Sequence, residues 1–217
     1  MVDWEDRAER AGKRFEDGEA RLPEDGDERQ RQLTRMGNAA WAAGLSFLML
    51  GRRREAHEWL RRAAETYRRS SVDAPAGSWG RPIGAMKSRL IAGDLDGARA
   101  DAEWTLAAGA AESESPIGRY AAVLARLVLG DDAAAGALAD SLPAESSIPP
   151  AVNRSLRALA AGDAAEYETA AAELVADFES RDEFLEDIPV ADTVLALQAL
   201  AAERRVVVAL SSPLLPE

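Results

Sequence analysis

The chain has 217 residues, 47% of them hydrophobic, enough to bury a sizeable core as one domain or one extended helical array. Its net charge of −12 argues against general nucleic-acid binding, which needs a basic surface to displace counterions. It has no cysteine, so disulfides, thiol nucleophiles and thiolate metal sites are excluded. No run of eighteen apolar residues suggests a membrane span, and the charged start Met1-Val2-Asp3-Trp4-Glu5-Asp6-Arg7 is no secretory signal. A cytoplasmic protein is expected.

Alanine dominates the apolar share, aromatics are only 6%, and strand-type runs are nearly missing apart from Val206-Val207-Val208. Trp4, Ala8, Ala11 and Phe15 recur at helical spacing and predict a helix over residues 4–21. A polar break at 23–27 precedes a helix of about 22 residues carrying Leu33, Met36, Ala40, Phe47 and Leu48. Gly51 ends it, and a third helix runs from about Arg53 to Arg69. The longest loop signal, residues 70–80, contains Trp79. Arg81-Pro82 opens the next helix, marked by Ile83, Met86, Leu90 and Ile91. Gly93-Asp94 separates it from a helix with Leu95, Ala98, Ala102 and Leu106.

Ser115-Pro116 reads as the cap and first residue of a strongly apolar helix through Val128, followed by Gly130-Asp131 and a short alanine-rich helix to Ser141. A loop over 143–150 leads to a helix with Val152, Leu156 and Leu159. After Gly162-Asp163 comes one with Tyr167, Ala171, Leu174, Val175 and Phe178. A polar acidic stretch, 179–187, precedes the last helix with Val190, Val194, Leu197 and Leu200. The apolar tail 206–217 is expected to pack back on the last pair.

Four breaks share one form: Gly51-Arg52, Gly93-Asp94, Gly130-Asp131 and Gly162-Asp163. Glycine supplies the left-handed conformation that closes a helix, and the aspartate that follows in three of them can cap the next. Ala56, Ala98 and Ala135 lie five residues after their glycine, where a small residue lets the second helix cross close; Tyr167 takes the fourth place. The glycines are 42, 37 and 32 residues apart, a drifting helix-pair period.

Gly44, Phe47, Gly51, Ala56, Leu60 and Ala63 resemble the small, aromatic, turn, small, large and small positions of a tetratricopeptide repeat. The resemblance covers one repeat well; later pairs keep the turn glycine but place Met86, Val123 and Ser155 where Gly44 stands. It implies peptide or protein binding on a concave face made by the first helix of each pair. A fainter resemblance, to the bacterial immunity-protein family often called Imm49, rests on Trp79-Gly80-Arg81-Pro82-Ile83-Gly84, Leu90-Ile91-Ala92-Gly93-Asp94 and the ending Leu210-Ser211-Ser212-Pro213-Leu214-Leu215-Pro216. It implies a helical antidote to a polymorphic toxin.

Chemistry is sparse. His57 is the only histidine, and no Gly-x-Ser-x-Gly elbow is present to build a triad around it. Gly77-Ser78-Trp79-Gly80 lacks the lysine and spacing of a phosphate loop. Asp131-Asp132, Asp182-Glu183 and Glu186-Asp187 read as solvated carboxylates in an acidic chain. No catalytic residue, metal or cofactor is therefore expected. Charge is segregated: residues 36–70 carry +4 and residues 151–217 carry −8, either a solvated face or complementary ends of a fold or homo-oligomer.

The expected fold is all-α. A single helical-repeat domain spans 1–217: an N-terminal cap over 1–35, then antiparallel pairs stacked as a short right-handed superhelix, then the tail. The expected function is a non-enzymatic scaffold for a protein or peptide partner, with no nucleic acid and no membrane. An immunity protein is the specific version, and an enzyme using carboxylates or arginines in the groove the runner-up from another class. Trp79 and Arg81, of types enriched at binding hot spots, and Asn38, Arg119, Asn153 and Arg154, on first helices of pairs, are the candidate binding residues.

Overall fold

The computed structural model describes residues 2–143 and 148–216. Among them there are ten α-helices and no strand: α1 (Trp4–Ala20), α2 (Gly26–Met49), α3 (Arg53–Ser70), α4 (Gly80–Ile91), α5 (Leu95–Ala107), α6 (Pro116–Leu129), α7 (Asp132–Asp140), α8 (Pro150–Ala161), α9 (Ala164–Glu179) and α10 (Asp192–Glu203). A short 3-10 turn, Leu185–Asp187, lies between the last two. The loop expected over 143–150 lies partly outside the described residues, and Pro150 already belongs to α8.

The four glycine breaks are built alike. Gly51, Gly93, Gly130 and Gly162 all have positive φ, between 65° and 76°. At each, the glycine N–H donates three residues back and the next N–H donates five back, as in Gly130 to Leu127 and Asp131 to Arg126. This pair of hydrogen bonds satisfies carbonyls in the last turn of the helix. Asp94, Asp131 and Asp163 then accept from the backbone N–H of Gly97, Ala134 and Glu166, capping α5, α7 and α9. Ser115 does the same for α6 through Gly118.

Consecutive helices pack on one another along the whole chain, and α4, α6 and α8 also touch in sequence. α2 and α3 cross closely. A Cβ on Gly44 would lie 2.7 Å from the Leu60 Cγ and 3.1 Å from the Leu60 backbone nitrogen, so only glycine admits that approach. α2 runs unbroken through Gly37-Asn38, so the cap boundary expected at residue 35 falls inside a helix.

Two apolar clusters form the interior. One spans α4 to α10 and includes Leu215 of the tail; the other joins α1, α2, α3 and part of α4. The tail is held by the Ala191 N–H donating to the Leu214 carbonyl at 2.9 Å and by Ser212 donating to Glu179.

The chain does not end as a simple string of pairs. α10 folds back onto α4, with lesser contacts to α8 and α9. Lys87 of α4 meets Asp192 at 2.6 Å and donates to the Thr193 hydroxyl at 2.8 Å. At its other end Arg204 donates to the Leu127 carbonyl and to the Asp132 carboxylate. Val190, expected in the last helix, lies instead in the segment entering α10, and it and Ile188 are buried in the N-terminal cluster. α4, α6 and α8 thus all contact the protein's own C-terminal segment.

The basic stretch of α3 is largely neutralised within the fold. Arg52 pairs with Glu5 and Glu55, Arg54 with Glu58, Arg61 with Asp94 and Arg68 with Asp101. Arg62 stacks on Trp59. Arg89 bridges Asp94 at 2.6 Å and Asp101 at 3.4 Å, so α3, α4 and α5 share one ionic network. Burial pushes Asp101 up from the ordinary carboxylate value against the pull of Arg89 and Arg68. Burial also opposes the charge of Asp94, but Arg89 and the Gly97 N–H outweigh it and hold that carboxyl below its ordinary 3.8. The stability from Asp94 is complete above that unfolded value and is lost as pH falls through the lower folded one. In urea titrations between pH 2 and 6, Asp94→Asn is expected to make the acid-side loss of stability shallower; an unchanged slope would assign that loss to other carboxylates.

Candidate functional site

An apolar recess lies where the 71–79 turn, α2, α4 and the start of α6 converge, a cleft of about 410 Å³. Its floor is Trp41 and Tyr67, and its walls are Trp79, Ile83 and Ile117. Leu185, more than half exposed at 55%, overhangs one edge. The volume falls in the range of sites that enclose a small ligand or one large side chain.

Tyr67 organises the cleft. Its ring stands between two helices that carry glycine opposite it. A Cβ on Gly37 of α2 would come within 2.8 Å of the ring, and one on Gly84 of α4 within 2.9 Å. Its hydroxyl donates to Asn38 Oδ1 at 2.8 Å. Burial, with Asp192 and Glu186 nearby, pushes the phenol far above its ordinary value, so it stays protonated and serves as a donor. Tyr120 is shifted the same way by burial and by Asp192.

Trp79 is both anchor and surface. It is half-buried against the core, and its indole nitrogen would be 2.7 Å from a Cβ on Gly118, so the 71–79 turn is pinned to the start of α6. Its remaining face lines the cleft. Arg81 reaches back to Gln30 of α2 and donates to the Ser70 hydroxyl at 3.1 Å, which ties α2, α3 and α4 together at the rim.

The structure thus brings Asn38, Trp79 and Arg81 into one site. Arg119 and Arg154 are elsewhere. Arg119 donates to the Ser113 and Ser141 carbonyls, holding the loop before α6 to the end of α7. Arg154 pairs with Glu166 and Glu173 of α9. Asn153, beside it on α8, leaves Oδ1 buried with no hydrogen-bond partner among the described residues. Sequence spacing placed all four polar residues on first helices. It left undecided whether each one points at a neighbouring pair or at its own second helix. Tyr67, Lys87 and Asp192 were missed as cleft residues; the one available signal was the pair of glycines, Gly37 and Gly84, in otherwise helical runs.

The polar groups of the cleft are satisfied by each other: Tyr67 by Asn38, Lys87 by Asp192 and Thr193, Arg81 by Gln30 and Ser70. None is paired as a nucleophile with a base; the set can donate hydrogen bonds and surround an apolar group. Three of the paired carboxylates have structural duties: Asp131 caps α7, Asp132 holds Arg204 and Glu186 holds Arg14. Burial, together with Arg61 and Arg53, lowers His57 below its ordinary 6.5, so it is neutral at pH 7. Among the described residues no group of three or more His, Asp or Glu is placed to hold a metal ion. No helix of the described residues is long and apolar enough to cross a membrane.

Comparison with protein-family models, with curated proteins and with solved structures gave no match.

Proposed function

We propose that the protein is a non-enzymatic binding scaffold of tetratricopeptide type, a short right-handed superhelix whose inner face takes a segment of a partner protein. The cleft beside Trp79 carries this reading. It joins an aromatic and aliphatic lining to hydrogen-bond donors whose own needs are met, which suits an apolar anchor side chain with a polar backbone around it. The tight Gly44–Leu60 crossing, the four matching glycine turns and the serial contact of α4, α6 and α8 support the superhelix.

The test is affinity capture from the cells that encode the protein, comparing the native chain with Trp79→Ala and Ile117→Asp. A true cleft partner is retained by the native protein and by Arg157→Ala, a surface change on α8, and is lost from both cleft variants. Loss of folding in the variants is checked by circular dichroism. Retention by every variant would move the partner off this cleft.

A second reading has its own observation. Trp79, Gly80, Arg81, Ile83 and Gly84, from one of the three stretches that carry the resemblance to the immunity family, line the cleft. In that reading the partner is a toxin. Co-expression with the product of an adjacent toxin gene, with survival as the readout, separates the two: protection that Trp79→Ala abolishes favours immunity.

A further inference from the structure

Between α9 and α10 the chain crosses the N-terminal half as a strap, residues 182–191, with the 3-10 turn Leu185–Asp187 inside it. Its backbone makes no hydrogen bond to α1, α2, α3 or α4; the bonds of 187–192 are local or to Leu214. Its hold on that half comes from side chains. Ile188 and Val190 are 3% and 1% exposed within the cluster that includes Trp41 and Ala85, and Glu186 meets Arg14 of α1 at 2.5 Å. The fit is also conformationally costly. Glu186 and Asp187 are consecutive non-glycine residues at φ 55° and 58°, in the left-handed region that L-residues disfavour.

A recess lies on each side of the strap. One is the Trp79 cleft, which Leu185 and Asp192 border. The other, about 290 Å³, is walled by Arg7, Arg10 and Arg14 of α1 and by Glu186, Asp187 and Ile188. The three arginines recur at helical spacing on one face of α1. Arg14 meets the strap, Arg10 pairs outward with Asp6, and Arg7 makes no ion pair among the described residues. This cationic face, in a protein of net charge −12, is only partly matched by the strap.

We infer that the strap is an internal stand-in for the partner: the surface beneath residues 185–190 recognises an acidic segment with two aliphatic side chains spaced as Ile188 and Val190 are, and binding such a segment displaces the strap. The partner segment places two aliphatic groups where Ile188 and Val190 sit and sets carboxylates against Arg7, Arg10 and Arg14. It gains over the strap by engaging cations the strap leaves unmatched and by avoiding the two left-handed residues. The strap is covalently attached, with an effective concentration on the order of millimolar, so a free segment competes only when it binds better or the strap is removed.

The experiment replaces residues 182–190 by a Gly/Ser linker of equal length, leaving α10 and Asp192 in place. The probe is a fluorescein-labelled peptide with the sequence of residues 182–190, followed by anisotropy. It is expected to bind the linker variant at least about tenfold more tightly than the native protein. Ile188→Ser and Val190→Ser in the peptide should abolish binding, and raising salt should weaken it. Equal binding to both proteins, or none to a folded linker variant, overturns the inference. If the linker variant does not fold, hydrogen exchange of the native protein decides. Strap amides exchanging at least about a hundredfold faster than those of α2 support displacement, and equal protection refutes it. The inference rests on the partner face proposed above. Trp79-dependent capture of a partner, with no peptide exchange, would remove the strap's role and leave that face standing.

Discussion

Lys87→Met is expected to lower stability by about 3 kcal/mol. Lys87 and Asp192 are only 13% and 14% exposed, 2.6 Å apart, and sit where α10 lands on α4. Removing the lysine leaves the Asp192 carboxylate facing buried Tyr67 and Tyr120 with its cation gone. Breaking one half of a buried pair costs far more than the pair is worth, because the remaining charge keeps its desolvation penalty. In a chain of this length the loss corresponds to a melting temperature lower by about 6–12 °C. The double variant Lys87→Met with Asp192→Leu should recover most of the loss, because an apolar pair of similar size needs no compensation. A single-variant loss under about 1 kcal/mol would mean that Val194 and Leu197 alone seat α10.

Tyr67→Ala is expected to cost about 3–5 kcal/mol, and with it about 10 °C or more of thermal stability. The ring fills the space between Gly37 and Gly84, two positions with no side chain to move into the void. Tyr67→Phe, which keeps the ring and loses only the bond to Asn38, should cost about 1 kcal/mol. The glycines give an independent check. In the native background Gly84→Ala drives a methyl into the ring and should cost about 1–3 kcal/mol. In the Tyr67→Ala background the same change should be neutral or stabilising, since the added methyl occupies the cavity. If the two changes simply add, the ring is not what requires glycine there.

These predictions turn on residues of different visibility. The helices were readable because their signals are local. Apolar residues every three to four positions mark them, and each glycine–aspartate break supplies its own cap and turn. The observed bounds of α3, Arg53–Ser70, differ from the expected 53–69 by one residue. Trp79 and Arg81 stood out because a tryptophan beside an arginine in a Gly/Pro/Ser loop is unusual in any fold. Lys87 did not, because a lysine in a helix is ordinarily a solvated cation. Arg119 and Arg154 looked equivalent to Asn38 in register, yet one holds a loop by carbonyl oxygens and the other a neighbouring helix by two carboxylates.

By itself, the amino-acid order determined an all-α chain of about ten helices and the glycine turns that separate several of them. The close approach of the second and third helices at Gly44 and Leu60 came from the structure; the sequence points to Ala56 for it. Only the tertiary structure decided that α10 returns to α4 and that residues 182–191 lie across the N-terminal half. It also decided that Asn38, Tyr67, Trp79 and Arg81 share one cleft. The difference is one of range. Caps, turns and amphipathic periods are set by residues within one or two helical turns. The return of the C-terminal segment depends on apolar and charged groups about a hundred positions apart, and helical spacing carries no information about which of them meet.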